Sequence, residues 1–214
     1  MATKLYGCLR SRASRPDWLL RELGAEYERV PVLQAGRAKP GEMSTASAEF
    51  LAINPNGLIP SLEDDGFVLH ESLAMNLYLA KKHGGPLAPR DLREDALMTM
   101  WSLWAGATVE PHAINVVYYG PKGSKGHDAR IYGDAVAGLR NPMAVLDSAL
   151  AAGGGHLVGG RFTVADVNVA EVTRYAQGAP ELFEGRANLS AWIAACQSRP
   201  AFKAMMEERN AEAA

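Results

Sequence analysis

The residues of this sequence that are best placed to bind a ligand begin at Ile59 and Pro60. This pair lies inside a stretch that is otherwise typical of a buried strand, where proline would remove a donor from the hydrogen-bond ladder. A cis bond before Pro60 would turn the chain and point the backbone of Ile59 outward, where it could pair with a peptide-like ligand. A trans proline that starts an edge strand is the alternative, and the sequence leaves both interpretations open.

Glu71 and Ser72 follow at the start of a predicted helix. Backbone N–H groups, the serine hydroxyl and the helix dipole would together favour an anion such as a carboxylate at this point. Glu71 could bind an ammonium group, and a single amino acid carries both charges on one carbon. Taken alone, the ordinary interpretation is an N-cap serine beside an acidic residue that the dipole favours.

A third group of polar and charged side chains follows the first predicted strand. It comprises Cys8, Arg10, Ser11, Arg12, Ser14 and Arg15. Positive charge near the start of a helix is disfavoured by the helix dipole, so an anionic ligand nearby would explain the arginines; solvated surface arginines are the alternative. Cys8 fits a small residue buried at the end of a strand.

Composition and charge exclude several classes of function. A formal net charge of -2 gives no general attraction to nucleic acid or to an anionic membrane, and no apolar run approaches the ~20 residues of a membrane span. The two cysteines lie far apart, the five histidines form no i,i+4 pair, and we assign no metal. The first residues do not resemble a signal peptide, so we expect a cytoplasmic protein with neither a nucleic-acid nor a membrane partner.

The order of elements in residues 1–83 is predicted to be βαβαββα, typical of a small α/β layered domain. The predicted strands are residues 4–8, 27–32, 58–62 and 67–69. The predicted helices begin at residues 14, 45 and 71. Asp64-Asp65-Gly66 is a strong hairpin signal, and Ser14 is expected to cap the first helix.

Glycine and proline mark a linker at residues 84–91, after which long helical periodicities replace the strand signals. We therefore predict that residues 92–214 form an all-helical bundle. Apolar residues with helical spacing are expected to form its core, among them Met100 and Leu103. Thr163 and Asp166 have the spacing of a capping box, with aspartate as the acid.

Several separated motifs, taken together, resemble one known family. The run from Asn54 to Leu62, followed by Glu71-Ser72-Leu73-Ala74 and Tyr78-Leu79, is similar to the glutathione-binding half of cytosolic glutathione transferases. Phe162 to Val167, Leu189 to Trp192, and Arg199-Pro200-Ala201 resemble motifs of the same family's second half. The motifs occur in the family's order over nearly the whole chain, and they match a serine-type, bacterial-like member.

The resemblance implies a thioredoxin-like first domain, an all-helical second domain and a homodimer. It also implies glutathione as co-substrate and a small electrophile as second substrate. Ser11 occupies the place of the catalytic hydroxyl, with Ser14 as a rival. The implied glutathione-binding residues are Ile59, Pro60, Glu71, Ser72, Arg10 and Lys39. Leu58 departs from the Lys or Gln of many relatives, so Lys39 or Arg37 would have to hold the glycyl carboxylate.

The second substrate is expected on one face of the helix that follows the linker. This face carries Trp104, Thr108, His112, Asn115 and Tyr119. An exposed or dimer-contacting face is the alternative, and Pro111 is expected to bend the helix. Conjugation is the leading activity. A glutathione-dependent isomerase, dehalogenase, peroxidase or thiol transferase and a non-catalytic binding module remain as alternatives, although Cys8 lies too early for a thiol transferase.

Overall fold

The computed structural model describes residues 3–212, which divide into two compact units. The first unit combines residues 3–83 with residues 199–212, and the second is Gly84–Ser198. The strands of the first unit are β1 (Thr3–Tyr6), β2 (Tyr27–Val30), β3 (Ser61–Asp64) and β4 (Phe67–Leu69). Its helices are α1 (Ser14–Leu23), α2 (Ala48–Ile53), α3 (Ser72–His83) and α9 (Pro200–Ala211).

The four strands form one mixed sheet in the order β2-β1-β3-β4. β1 runs parallel to β2 and antiparallel to β3, while β3 and β4 form the predicted hairpin. Its turn has Asp65 and Gly66 at φ of 53° and 83°, as a type I′ hairpin turn requires. β3 begins three residues later than predicted, because Pro60 has no N–H to contribute to a ladder. The βαβαββα order and the thioredoxin-like fold are confirmed.

Helix α9 packs on α1 inside the first unit. From the sequence, its residues were expected in the helical domain of residues 92–214. The rings of Trp18 and Phe202 meet edge to face with centroids 4.9 Å apart. The guanidinium of Arg199 binds both carboxylate oxygens of Glu22 at 2.7 Å. Apolar contact and paired charge therefore attach the last helix to the first.

The expectation that Ser14 caps α1 is wrong. Ser14 is the first residue of the helix, and Ala13 before it already has helical dihedral angles. A residue in that position cannot turn its side chain back over the first N–H groups as an N-cap does. The Ser14 hydroxyl instead donates to the carbonyl of Ser11 at 3.2 Å.

The second unit is helical, as predicted. It contains α4 (Leu92–Trp104), α5 (Glu110–Tyr119), α6 (Ala129–Ala152), α7 (Val164–Thr173) and α8 (Ala187–Ser198). A π-helical turn, Ala105–Val109, joins α4 to α5 just before Pro111. Pro111 has no N–H for the regular helical ladder, which fits an irregular turn at this place. Among residues 3–212, none of the helices is long and apolar enough to cross a membrane.

The capping box at α7 is confirmed and reaches beyond its own helix. The Asp166 carboxylate accepts from the Thr163 N–H at 2.9 Å and from the indole N–H of Trp192 at 2.9 Å. Burial raises the pKa of Asp166 even though these donors stabilise its charged form. The box therefore ties α7 to α8.

The predicted apolar stripe of α4 is not the buried one. Met100 and Leu103 are 47% and 67% exposed. The buried face carries Met98, Trp101, Ala105, Val109, Ala113 and Val116. α4 carries apolar residues on both faces, Met98 and Trp101 on the buried one and Met100 and Leu103 on the other, so apolar spacing alone does not identify the buried face.

Asp64, at the end of β3, is a buried carboxylate with several donors. The Tyr78 hydroxyl donates to it at 2.6 Å, the Thr3 hydroxyl at 3.0 Å, and the Lys82 ammonium pairs with both of its oxygens. Burial alone would raise the pKa of Asp64, but the hydrogen bonds from Lys82, Tyr78 and Thr3 outweigh it and lower that pKa.

The lowered pKa predicts an acid-sensitive first unit. Stability from Asp64 is present above the pKa of an unfolded aspartate, about 3.9, and is lost as pH falls through the lower folded pKa. Asp64→Asn should cost about 1–3 kcal/mol at neutral pH and flatten the loss of stability below about pH 4. Urea titrations followed by circular dichroism measure both effects.

Asp65→Asn is the matched control, because Asp65 is exposed in the adjacent turn and asparagine tolerates its left-handed conformation. It should leave the pH dependence unchanged. Equal behaviour of the two variants would contradict the role given to Asp64.

Candidate active site

The peptide bond between Ile59 and Pro60 is cis, which settles the alternative left open by the sequence. Gly7, directly after β1, lies against this bond: a Cβ added there would be 3.5 Å from the Ile59 Cβ and 3.0 Å from the Ala13 Cβ. Gly7 also has a φ of 146°, which favours glycine. The loop that follows β1 is therefore held beside the Ile59-Pro60 bond.

The turn before this bond is ordered by one asparagine. The Asn54 side chain donates to the carbonyl of Leu58 at 2.6 Å and accepts from the N–H of Asn56 at 3.0 Å. Asn54 is itself buried. The asparagine thus fixes the chain from the end of α2 to the cis bond, as Asn side chains commonly do in turns.

Glu71 has a left-handed backbone, with φ of 66°, and an exposed side chain. A non-glycine residue in this region is uncommon, and such strained positions concentrate at ligand-binding sites. α3 starts at the next residue, so Glu71 lies at the positive end of the helix dipole. The geometry places a carboxylate beside N–H groups that suit an anion.

The Ser72 hydroxyl oxygen accepts a hydrogen bond from a buried cation. The Arg15 guanidinium donates to the Ser72 Oγ at 3.1 Å, and the Asn76 amide donates to the Arg15 carbonyl at 3.3 Å. Arg15 is 1% exposed and Asn76 is fully buried. Because Arg15 occupies a lone pair of Ser72, the serine's own proton is available for an acceptor such as a carboxylate. Positive charge, helix dipole and hydroxyl all favour an anion here.

Ser11 lies in a tight turn between β1 and α1. Its N–H donates to the Cys8 carbonyl at 3.1 Å, and its hydroxyl donates to the same oxygen at 2.6 Å. The Ala13 N–H donates to the Ser11 Oγ at 3.0 Å. Ser11 keeps part of its surface exposed, whereas Ser14 is fully buried. The two serines named by the sequence thus have different access to a ligand.

Two other reactive side chains near this turn are engaged elsewhere. Cys8 is 7% exposed, and burial followed by the nearby Glu212 carboxylate raises the pKa of its thiol. The Tyr6 hydroxyl donates to Glu63 at 2.6 Å, and burial together with that hydrogen bond raises its pKa to about 12. Neither group is set up to be a thiolate or a phenolate at neutral pH.

The remaining side chains expected from the sequence to bind the anionic ligand lie in exposed loops or contact other parts of the first unit. Arg10 donates through its Nε to the carbonyl of Arg209 at 3.3 Å, so its guanidinium is turned toward α9. Lys39 and Arg37 are exposed in the loop between β2 and α2. The Leu58 side chain is 64% exposed and carries no polar group that could bind a carboxylate.

The residues expected at the second substrate lie along α4, the π-helical turn and α5. The Trp104 ring packs edge to face on Trp101 with centroids 5.1 Å apart, and Thr108 is exposed. The His112 ring faces α6, where a Cβ added to Gly138 would come within 2.6 Å of it. Tyr119 is half-buried. Thr108 is therefore open to a ligand, while part of the His112 ring is covered by α6 at Gly138.

Two contacts of the site were not anticipated from the sequence. One is the hydrogen bond from Arg15 to Ser72, and the other is the hydrogen bond from Asn76 to the Arg15 carbonyl. Both join α1 to α3 through residues far apart in the chain. The one available signal was an asparagine at a position of α3 that faces the core. Within residues 3–212 no group of three or more His, Cys, Asp or Glu side chains is arranged to hold a metal ion.

Both halves of the chain match family models. The model of the glutathione S-transferase N-terminal domain covers residues 1–81. The model of the glutathione S-transferase C-terminal domain covers residues 111–195.

Among individual proteins, the chain is similar to glutathione S-transferase F13 of Arabidopsis thaliana, with 33% identity over 94% of each chain. The structure of glutathione transferase F7 from Populus trichocarpa superimposes with a TM-score of 0.83 at 28% identity, covering 98% of this chain and 100% of that one. A theta class glutathione S-transferase from Xanthomonas axonopodis pv. citri, solved with glutathione bound, gives a TM-score of 0.80 at 27% identity, covering 95% and 96%.

Proposed function

Because this chain belongs to the glutathione S-transferase family, we propose that it ionises the thiol of glutathione beside Ser11 and directs the thiolate at a small electrophile. The chain is a glutathione transferase, an enzyme with glutathione as co-substrate. The role of Ser11 rests chiefly on one observation. Of the hydroxyls that flank β1, Ser11 is partly exposed, whereas Ser14 is buried and Tyr6 is bound to Glu63.

The grip on glutathione is assigned to the N-terminus of α3 and the cis bond. Glutathione has a γ-glutamyl end with a carboxylate and an ammonium group on one carbon. Ser72, backed by the buried Arg15, suits the carboxylate, and the exposed Glu71 suits the ammonium. The backbone of Ile59, beside Pro60, suits the peptide part. Lys39 or Arg37, both exposed in the loop between β2 and α2, is the proposed partner of the glycyl carboxylate.

The chemical task is to ionise a thiol at neutral pH. A thiol with a pKa near 8.5 is only a few per cent thiolate, and lowering that pKa by about two units requires about 2.7 kcal/mol. One or two hydrogen bonds to the charged sulfur are of this size. Ser11 now donates to the Cys8 carbonyl, and rotation of its O–H would turn that proton toward the sulfur while the Ala13 N–H still donates to Oγ.

The reaction then needs no group beyond the thiolate and its position. The thiol proton leaves to solvent, the sulfur forms a bond to the electrophilic carbon, and the leaving group departs with its electron pair. Ser11 keeps the sulfur anionic until attack. With Ser11 in this role, the protein is proposed to be a serine-type transferase. The bacterial-like subdivision stays a prediction.

Replacing Ser11 tests this role. Ser11→Ala should lower kcat/KM for conjugation of an aryl halide about a hundredfold, as removal of one donor to a developing charge does elsewhere. Glutathione binding, measured by calorimetry, should be little changed because Ser72 and Glu71 are untouched. An unchanged rate would remove Ser11 from the mechanism. A loss confined to Ser14→Ala would transfer the role to Ser14.

Thiol transfer through Cys8 is the second candidate reaction, and the structure offers little in its favour. The Cys8 thiol is buried and its pKa is raised, whereas disulfide exchange needs an accessible thiolate. Cys8→Ser in a disulfide-exchange assay with glutathione distinguishes the two reactions. A large loss there would restore the thiol-transferase interpretation.

The electrophile site is proposed along the junction of α4 and α5, from Trp104, Thr108, His112 and Tyr119. The exposed Thr108 and the aromatic Trp104 lie at the π-helical turn, a type of irregularity frequent at functional sites. Which small electrophile binds there decides between conjugation and the isomerase, dehalogenase or peroxidase reactions of the same thiolate.

Thr108→Val should raise KM for polar electrophiles about two- to tenfold, the range expected for one lost hydrogen bond. KM for glutathione should not change. Ala107→Val, at the neighbouring exposed position, is the matched control. A larger effect of Ala107→Val than of Thr108→Val would place the electrophile elsewhere.

A homodimer is proposed from the exposed face of α4. Leu92, Met100 and Leu103 are 82%, 47% and 67% exposed and lie on one side of the helix. Such a contiguous apolar stripe is typical of a surface that a partner covers. A second copy of this chain is the proposed partner.

Leu103→Glu should therefore convert the dimer to a monomer in light scattering coupled to size-exclusion chromatography, because it would bury a charge in the interface. Val145→Glu, 43% exposed on α6, is the control for adding a surface charge and should remain dimeric. A wild-type protein that is monomeric at all concentrations would contradict the proposal.

We place the enzyme in the cytoplasm, which cell fractionation can check. We also propose that it has a detoxifying role. Within the described part of the chain neither Cys8 nor Cys196 is in a disulfide bond, which supports a reducing compartment.

A further inference from the structure

The Ser11 turn is bound from outside by a carboxylate that no part of the proposed reaction uses. Glu212 directly follows α9 and belongs to the same unit as β1 and α1. One of its oxygens accepts from the Leu9 N–H at 2.9 Å and the other from the Arg10 N–H at 3.0 Å. The contact spans more than two hundred residues of sequence, so local chain geometry does not impose it.

The two donors are the central residues of the turn that ends at Ser11. The Ser11 N–H binds the Cys8 carbonyl, which closes the turn around Leu9 and Arg10. The N–H groups of these central residues point away from the turn and would otherwise need another acceptor. Glu212 satisfies both with charge-assisted hydrogen bonds, which are stronger than neutral ones.

The position of Glu212 is itself fixed by α9. The Arg10 guanidinium donates to the Arg209 carbonyl in the last turn of that helix, and the Glu212 N–H donates to the Glu208 carbonyl. Farther along, Glu208 pairs with Arg21 at 2.8 Å and with Arg29 at 2.7 Å. The carboxylate thus reaches the turn from a helix that is anchored to the first unit at several points.

We propose that Glu212 is a positioning residue that holds the Cys8-to-Ser11 turn in the conformation from which the Ser11 hydroxyl reaches the glutathione sulfur. The proposal rests on the proposed role of Ser11. Without the carboxylate, the N–H groups of Leu9 and Arg10 would turn toward water, the turn would sample other conformations, and the Ser11 Oγ would leave the sulfur. The grip formed by Glu71 and Ser72 belongs to the start of α3 rather than to this turn, and it would remain.

A readout of the bound sulfur separates this role from a general structural one. The ultraviolet absorbance of the thiolate reports the ionised fraction of bound glutathione at neutral pH, and calorimetry reports glutathione affinity. Glu212→Ala should reduce the bound thiolate and kcat about tenfold while glutathione affinity stays near that of the wild type. Glu212→Gln retains one acceptor in the same shape. Its bound thiolate and kcat should lie between those of Glu212→Ala and the wild type.

Glu207→Ala is the matched control, because Glu207 is exposed on the same helix. It should keep the wild-type thiolate signal. Wild-type thiolate and kcat in both Glu212 variants would overturn the proposal. So would a parallel loss of glutathione affinity, which would mark Glu212 as merely structural.

Ser11→Ala, measured alongside, separates the proposed role of Glu212 from the proposed role of Ser11. A thiolate signal that depends on Ser11 but not on Glu212 overturns this inference alone. A signal that depends on neither residue overturns the proposed role of Ser11, and the inference falls with it.

Discussion

The buried hydrogen bond from Arg15 to Ser72 joins the two parts of the protein that carry its proposed chemistry. Arg15 lies in the first turn of α1, directly after the Ser11 loop, and Ser72 starts α3. A guanidinium that is 1% exposed is costly to bury unless its donors are satisfied, so this bond restricts how α1 and α3 can pack. The anion site and the thiol site are thereby fixed relative to each other, which is what attack by a bound thiolate requires.

Short sequence motifs correctly predicted those turns and helix caps whose conformation depends only on neighbouring residues. The turn Asp65-Gly66 needs positive φ at both residues, and the capping box of Thr163 and Asp166 needs only three residues' separation. The order of strands and helices follows from such signals, since each is written in a few neighbouring residues. Membership of the glutathione S-transferase family came from the joint order of motifs, none of which is decisive alone.

The rest depends on contacts between distant residues, which a single sequence does not display. The left-handed backbone of Glu71 has no local signal, because glutamate does not favour that conformation. The packing of α9 on α1 depends on Trp18 meeting Phe202. The buried face of α4 was misassigned because apolar residues lie on both of its faces. In each case tertiary structure overrides the local pattern.

The proposed reaction requires that this fold make glutathione a thiolate at neutral pH. The Ser11 hydroxyl and the N-terminus of α3 both favour negative charge, and the side chains around the turn that could compete, Cys8 and Tyr6, have raised pKa values. The most direct measurement is a pH titration of the thiol of glutathione bound to the unaltered enzyme, followed by thiolate absorbance. The bound thiol is expected to ionise about two pH units below the thiol of free glutathione. Ionisation at the same pH as in water would contradict it.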